Sequence, residues 1–255
     1  TSFLKFFQER VDHYSFKIRE SKPSISVVCA WFNRAEYLDD TLQSLFNQDF
    51  SSFEIILVND GSTDPSLKQK LDTYNDCRLR IIHQENKGFV GAIRCAIDNA
   101  RGEYIAIQGA GDISFPNRLS QQYFLLTQRP DIVAVGCRRE KTLVGGLADG
   151  KRISPPFQQK QVWTKTDLTS VQIPFGHGEI MFRKVVYDRV GGYRDYFKYA
   201  QDRDLWPRMA EYGDFFIIHQ VLYSSRIFLI DGVSANPQKM ILQQQLLFFA
   251  VQCVE

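Results

Sequence analysis

Short, almost wholly apolar runs alternate along this chain with segments whose apolar residues recur every three or four positions. Residues 25–30, 53–58, 79–83, 103–108 and 132–135 have the length and composition of buried strands. Between them, residues 35–47, 65–74, 88–100 and 116–128 carry helical spacing, the second of these behind an Asp64-Pro65 start. Such alternation predicts an α/β fold: a doubly wound, mostly parallel sheet with helices on both faces.

The pattern breaks after Gly136. Residues 138–172 are polar and carry Gly145-Gly146 and Pro155-Pro156, which predicts loops with short strands around a variable part of a site. Regular periods then return. Strands are predicted over 179–182 and 215–223, a short helix over 184–190, and a helix over about 200–211 that Pro207 either kinks or truly begins. Two flanking segments look helical. Phe3, Phe7, Val11, Tyr14 and Ile18 form one stripe over residues 1–22, facing the domain, a neighbour or a membrane surface. Leu242, Leu246 and Phe249 form another over 237–255. The main domain is thus expected over 23–236.

Composition narrows the class. With 255 residues and 44% apolar content the chain can fill a sizeable core. Its formal charge of +2 argues against a broad nucleic-acid surface. The five cysteines lack ligand or disulfide spacing, which fits a reducing, cytoplasmic setting, with Cys29 and Cys95 as small core residues. No apolar run reaches the ~18 residues of a membrane span. The chain begins at Thr and ends in mid-pattern, which suggests a piece of a longer protein.

Candidate chemistry gathers at strand tips. The run Glu54-Ile-Ile-Leu-Val-Asn-Asp-Gly-Ser-Thr-Asp64 ends a buried strand on Asp60, where an open α/β sheet holds its ligand. Asp60 can accept an N–H from a ligand or form a local turn, and Asp64 suits a helix cap. Asn59 suits a local backbone bond. The tip-and-carboxylate layout returns at Tyr104-Ile-Ala-Ile-Gln-Gly-Ala-Gly-Asp112, whose glycines let backbone approach a phosphate. Asn86-Lys-Gly88 precedes a helix, so Lys87 either faces an anion or only turns the chain.

These blocks, in their order, resemble the family-2 glycosyltransferases, inverting enzymes of the GT-A fold. Ile25-Ser-Val-Val-Cys-Ala-Trp-Phe-Asn-Arg34 looks like that family's first strand and its Tyr-Asn-Arg turn, with Phe32 in the Tyr place and Ala30 in a usual Pro place. Ser44-Leu-Phe-Asn-Gln48, Val58-Asn-Asp-Gly-Ser-Thr-Asp64, Asn86-Lys-Gly88, Ala100-Arg-Gly-Glu-Tyr-Ile105, Gly191-Gly-Tyr193 and Asp202-Arg-Asp-Leu-Trp206 resemble further blocks. The match covers about residues 24–230. It implies a nucleotide-sugar donor, most simply a UDP-sugar, and a glycan or lipid-linked glycan acceptor in bacterial surface polysaccharide synthesis, at the inner face of the membrane.

The resemblance also distributes roles. Asp60 would accept the uracil N–H, with Ala30 and Phe32 lining the base pocket and Lys87 assisting phosphates or ribose. Asp202, in Gln201-Asp202-Arg-Asp204, would be the general base, with Asp204 structural. The family's Asp-Ala-Asp-Asp block, which holds Mn2+ or Mg2+, reads Gly109-Ala-Gly-Asp112 here. Asp112 is left as the one acidic candidate for a divalent cation, beside Gly111 as a backbone cradle. Arg118, His177, Arg183, Arg203 and Arg226 are candidates to meet the leaving group's charge, and Arg94 replaces a usual Asn. Two other readings stay open. One is a non-catalytic domain binding sugar nucleotides or glycans, which the two glycines favour. The other is a nucleotidyltransferase, against which the missing glycines of Ala30-Trp-Phe-Asn-Arg34 count.

Overall fold

The computed structural model describes residues 22–154, 156, 159–169, 175–230 and 236–252. The first predicted helix therefore lies outside the described residues. Parallel strands β1 (Ile25–Trp31), β2 (Phe53–Asp60), β3 (Leu79–Gln84) and β4 (Tyr104–Ile107) form one half of the sheet in the order β3-β2-β1-β4. Every residue of β2 and β4 is buried, as a parallel sheet covered on both faces requires. The cover includes α1 (Leu38–Phe46), α2 (Pro65–Thr73), α3 (Gly88–Asp98) and α4 (Arg118–Gln128). Helix α1 buries Leu38, Leu42 and Leu45, the three-to-four spacing that turns one face to the core.

The other half contains β5 (Ile113–Ser114), β6 (Ile132–Val144), β9 (Met181–Arg183) and β10 (Asp214–Phe228), with β9 antiparallel between β4 and β6. Short β7 (Arg152–Ile153) and β8 (Val162–Trp163) border β6 and β10. Both long strands outrun their predicted ends. β6 continues past Val135 for nine residues, and β10 past Tyr223 for five. Their apolar runs stop because the far halves are only partly buried, so polar residues such as Arg138, Arg139 and Glu140 continue the ladder. Parallel pairing persists from Asp214–Ile132 to Phe228–Val144, with register shifts between Ile218 and Tyr223. Shifts of this kind bend a strand and re-aim its side chains. Residues 138–144, expected as loop, are therefore strand.

Helix α5 (Lys165–Leu168) precedes β9, and α6 (Lys184–Arg189), α7 (Gln201–Met209) and α8 (Pro237–Gln252) follow it. Pro207 lies inside α7 and does not start it. Asp204, 1% exposed, pairs with Arg194 and Arg208, and Arg208 also donates to the carbonyls of Val190 and Gly192. The Gly191-Gly-Tyr193 turn is thus tied to α7, and Asp204 is structural. Helix α8 rests on α7 through Leu246 and Ala250, against Phe197 and Ala200. Leu242 and Phe249, expected on its buried side, are 40% and 43% exposed. The buried stripe is instead Leu246 and Ala250, 8% and 0% exposed.

The family-like motifs at the far end of the sheet are structural. Glu54 accepts from Ser26, from the Arg101 backbone and from the Arg101 side chain. A Cβ on Gly102 would fall 2.5 Å from the Ser26 nitrogen. Gln48 donates to the Phe115 carbonyl and accepts from the Leu119 N–H, which fixes the start of α4.

Beneath the strand tips lies Arg118, fully buried. It donates to the carbonyls of Ile107 (2.8 Å) and Gly178 (3.0 Å), to Ser114 Oγ (2.8 Å), and to Gln108 and Gln122. Replacing it by Met takes a donor from each of these acceptors; Gln108 Oε1 keeps Ser114 Oγ, and those left buried and unpaired cost roughly 1–3 kcal/mol each. Arg118→Met is expected to lower unfolding stability by at least about 3 kcal/mol. Chemical denaturation would measure it, and a loss below about 1 kcal/mol would contradict this account.

Candidate functional site

The tips of β2, β1 and β4 lie side by side, so three loops converge there. Asn33, in the left-handed region at φ 55°, fastens two of them. Its Oδ1 accepts from the Thr63 and Asp64 amides, and its own N–H donates to Ser62 Oγ. Asn59 accepts from the Ser62 N–H, a local bond as expected, and meets His83. Asp64 caps α2, accepting from the Ser66 N–H at 2.9 Å.

Asp60 ends β2 and is 3% exposed. Its Oδ1 accepts from Gln84 Nε2 at 2.7 Å and from the Lys87 N–H at 2.8 Å. Asn86 donates to its carbonyl. A Cβ at Gly61 (φ 65°) would lie 2.6 Å from the Asn86 nitrogen, so the turn needs glycine. Among the described residues, no hydrogen bond goes to Oδ2. Asp60 is therefore held rigidly by one oxygen and can offer the other. Lys87 contributes through its backbone, while its side chain is exposed. Phe32 is 44% exposed at the β1 tip and so is no core residue. Ala30 is half-buried and packs against the core cluster around Val28 and Val58.

The Asp112 end is organised differently. Oδ2 accepts from the Tyr223 hydroxyl and Oδ1 from the Arg226 N–H, each at 2.8 Å. The Tyr223 oxygen accepts in turn from the Gly109 N–H. A Cβ on Gly109 would fall 2.2 Å from Asp112 Oδ2. Gly109 is thus the space into which Asp112 folds. Gly111 adopts φ 90°, strained for any other residue. The Arg226 guanidinium reaches the Gly111 carbonyl, pairs with Asp40 at 2.6 Å and lies over the Tyr37 ring. Arg34 lies over Phe228, 3.4 Å from the ring centre, and Phe228 meets Tyr37 edge-on. Two arginines and two aromatics therefore form a row, with Arg226 and Phe228 delivered by the extended end of β10.

This arrangement does not fit a divalent cation. Both Asp112 oxygens are engaged, the flanking positions are glycines, and a guanidinium already holds the Gly111 carbonyl. Among the described residues no three His, Cys, Asp or Glu side chains could hold a metal together. Asp112, the acidic candidate for a cation, is here a clamp between β4 and β10, its two oxygens accepting from the Tyr223 hydroxyl and the Arg226 N–H.

A third group lies beside α7. Asp202 stands in its first turn and accepts the Arg203 N–H. The helix cap is Ala200, at φ 55°, so Asp202 is no cap. A cleft of about 490 Å³ is lined by Asp202, Arg203, His177, Arg139, Gln243 and Gln244, among others. His177 arrives on Phe175-Gly-His-Gly178, which runs flush between two side chains. Cβ atoms on Gly176 and Gly178 would fall 1.6 Å from Arg139 and 2.6 Å from the Tyr223 hydroxyl. The His177 ring stacks on Trp206, bonds the Tyr193 hydroxyl and meets Phe89 edge-on. Burial pushes its imidazole below the usual value, against the pull of Asp202 and Glu179.

Phe89 sits two residues past Lys87, so residues 87–89 run from Asp60 to His177 at this cleft. Two cations proposed from sequence do not join them. Arg118 is buried, and Arg183 spends its guanidinium on the carbonyls of Leu126, Arg129 and Ile132. Arg94 pairs with Asp195 at the surface. Arg34, Tyr37 and Gln84 were overlooked. Arg34 belongs to the Asn-Arg turn, and its place in that motif was the available signal.

Strand tips with a fixed carboxylate, two arginines and an adjoining cleft at Asp202, on this sheet order, fit a glycosyltransferase of the GT-A fold. The sequence profile of Glycosyl transferase family 2 matches residues 26–223, and the chain belongs to that family. A relative in Bacillus subtilis (strain 168), EpsE, named as a glycosyltransferase, is 32% identical over 199 residues, covering 76% of this chain and 69% of its own. Uncharacterized glycosyltransferase RP339 of Rickettsia prowazekii (strain Madrid E) is 27% identical, covering 80% and 64%. The chain thus spans about two thirds of these relatives. Among solved structures, S. aureus TarS 1-349 in complex with UDP-GlcNAc superposes with TM-score 0.69 at 17% identity, covering 89% of this chain and 66% of that one. The mannosyltransferase PcManGT from Pyrobaculum calidifontis, in complex with GDP-Man and Mn2+, gives 0.58 at 19% identity, covering 84% and 63%. No described helix is long and apolar enough to cross a membrane.

Burial pushes the Asp112 carboxyl up to about 6 from 3.8, although the Arg226 N–H and the Tyr223 hydroxyl pull it down. A carboxyl that binds its proton more tightly when folded stabilises the fold below the unfolded value, and loses that contribution as pH rises through the folded one. The melting temperature of Asp112→Asn relative to wild type is expected to rise from about pH 4 to about pH 7. A difference that stays flat would contradict the burial of this carboxyl.

Proposed function

We propose that this chain transfers a sugar from a UDP-sugar to a hydroxyl of a glycan or lipid-linked glycan, with inversion, in bacterial surface polysaccharide synthesis. The observation that carries this reading is Asp60. A carboxylate held through Oδ1 by Gln84 and Lys87, at the tip of a central parallel strand, is pre-aligned to accept the N–H of a uracil ring through Oδ2. TarS, of the same fold, has been solved with UDP and UDP-GlcNAc.

Phe32 would cover the base. Arg226 and Arg34 would meet the diphosphate, where developing negative charge needs fixed positive partners. The Arg226–Asp40 pair does not prevent this. Asp40 is 60% exposed, and such pairs are worth only ~0–1 kcal/mol. A diphosphate can displace it. Asp202 would take the acceptor's proton during direct attack on the anomeric carbon, which inverts it. No step runs through a metal ion. The non-catalytic reading is favoured by Gly109 and Gly111 and opposed by the cleft at Asp202.

Turnover of UDP-glucose, UDP-galactose and UDP-N-acetylglucosamine is expected to be equal with and without EDTA. Asp202→Asn is expected to lower it at least about 100-fold with UDP affinity unchanged. Asp60→Ala is expected to weaken UDP binding about tenfold or more, read by calorimetry. UDP binding without turnover of any donor would favour the binding-domain reading. Turnover abolished by EDTA would overturn the arginine site.

A further inference from the structure

The cleft beside Asp202 has a roof from outside the α/β core. Helix α8 follows residue 236 and lies over the first turn of α7. Leu246 and Ala250, 8% and 0% exposed, anchor it on Phe197 and Ala200, and Phe249 meets the rings of Tyr196 and Phe197. The neighbouring stripe, Gln243 and Leu247 one turn apart with Gln244 beside them, overlooks the cleft. Gln245 falls on the far side of the helix at 3.6 residues per turn and does not line it. Three consecutive glutamines are thus split by geometry into two that face the cleft and one that does not.

The lining suits a carbohydrate. At about 490 Å³ the cleft lies within the ~300–1,000 Å³ of small-molecule sites. Its lining offers the flat His177 ring, stacked on Trp206, with Phe175 and Leu247 as apolar surface for a sugar's C–H face. Its roof offers two primary amides, each with two donors and an acceptor, which can grip neighbouring hydroxyls in either sense. Among the described residues neither amide makes a hydrogen bond. Both are therefore available.

We propose that this cleft is the acceptor-sugar subsite and that Gln243 and Gln244 of α8 are its specificity-determining ligands. The proposal rests on the assignment of Asp202 as base, since the attacking hydroxyl must lie against that carboxylate. Helix α8 then sets which sugar is accepted, independently of the donor pocket at Asp60.

The test uses the full chain and a panel of p-nitrophenyl glycosides of glucose, galactose and N-acetylglucosamine. Binding is followed by saturation-transfer NMR with and without UDP, and UDP affinity by calorimetry. Wild type is expected to bind at least one glycoside. Gln243→Ala/Gln244→Ala is expected to weaken that binding tenfold or more, Gln245→Ala to leave it unchanged, and all three proteins to bind UDP equally. A glycoside bound equally by the double variant, or no glycoside bound by wild type, overturns the proposal. Failure to bind UDP would instead strike the donor assignment, and the glycoside measurement without UDP still reads the cleft alone.

Discussion

The arrangement of the site depends on one buried guanidinium. Arg118 has no carboxylate among the partners described above, yet its N–H groups are satisfied by carbonyls and side chains from the ends of β4, β5 and the loop before β9. A buried cation of this kind is tolerable only where its hydrogen bonds are met. Here they tie the paired strands β4 and β9 to β5 and α4. The guanidinium also lies under the Tyr223 ring, 4.8 Å from its centre. Tyr223 holds Asp112, and the Gly178 carbonyl held by Arg118 adjoins His177. The Asp112 end and the cleft are thus positioned from a common point below.

Above that point, two glycines and one carboxylate exchange roles with what the family pattern assigns them. An acid at position 109 would collide with Asp112 as it stands, because even a Cβ there comes within 2.2 Å of its carboxylate. The loss of acid at Gly109 and the inward fold of Asp112 are one structural fact. The clamp that results fixes the end of β10 and so aims Arg226 across the strand tips. Positive charge is placed by the same carboxylate that a metal would otherwise have occupied.

Much of the α/β frame was legible because its signals are local. Continuous apolar runs gave β1, β2 and β4, and Asp64-Pro65 marked the start of α2. The far halves of β6 and β10 were not legible. Partly buried strands in a site carry arginine, glutamate and lysine, and their pairing partner lies some eighty residues away along the chain. The candidate site divides in the same way. Asp60, Asp112, Asp202 and Arg226 stood out as residues, but Asp112's inward fold depends on Tyr223, more than a hundred positions later. Arg118 read as a cation for a ligand because sequence gives charge without depth. The helical character of α8 was visible, but its buried face was not, since the short Ala250 anchors it while Leu242 stays out.

The two ends of the Arg226 side of the site differ in how firmly they are held. The backbone N–H is bound to a half-buried carboxylate whose loss would leave that N–H and the Tyr223 hydroxyl without their acceptor. The guanidinium head is bound to an exposed one, where water and salt screen the pair. A cation fixed at its root and by the Gly111 carbonyl can trade Asp40 for a phosphate without disturbing the sheet. A metal ion would have to arrive with the donor or wait on carboxylates. An arginine is always charged, and much of its ordering cost is met by the strand that carries it. In the proposed reading, the leaving group's charge is met by folding the chain and not by recruiting an ion, which explains why the acids could be lost while the strand tips kept their shape.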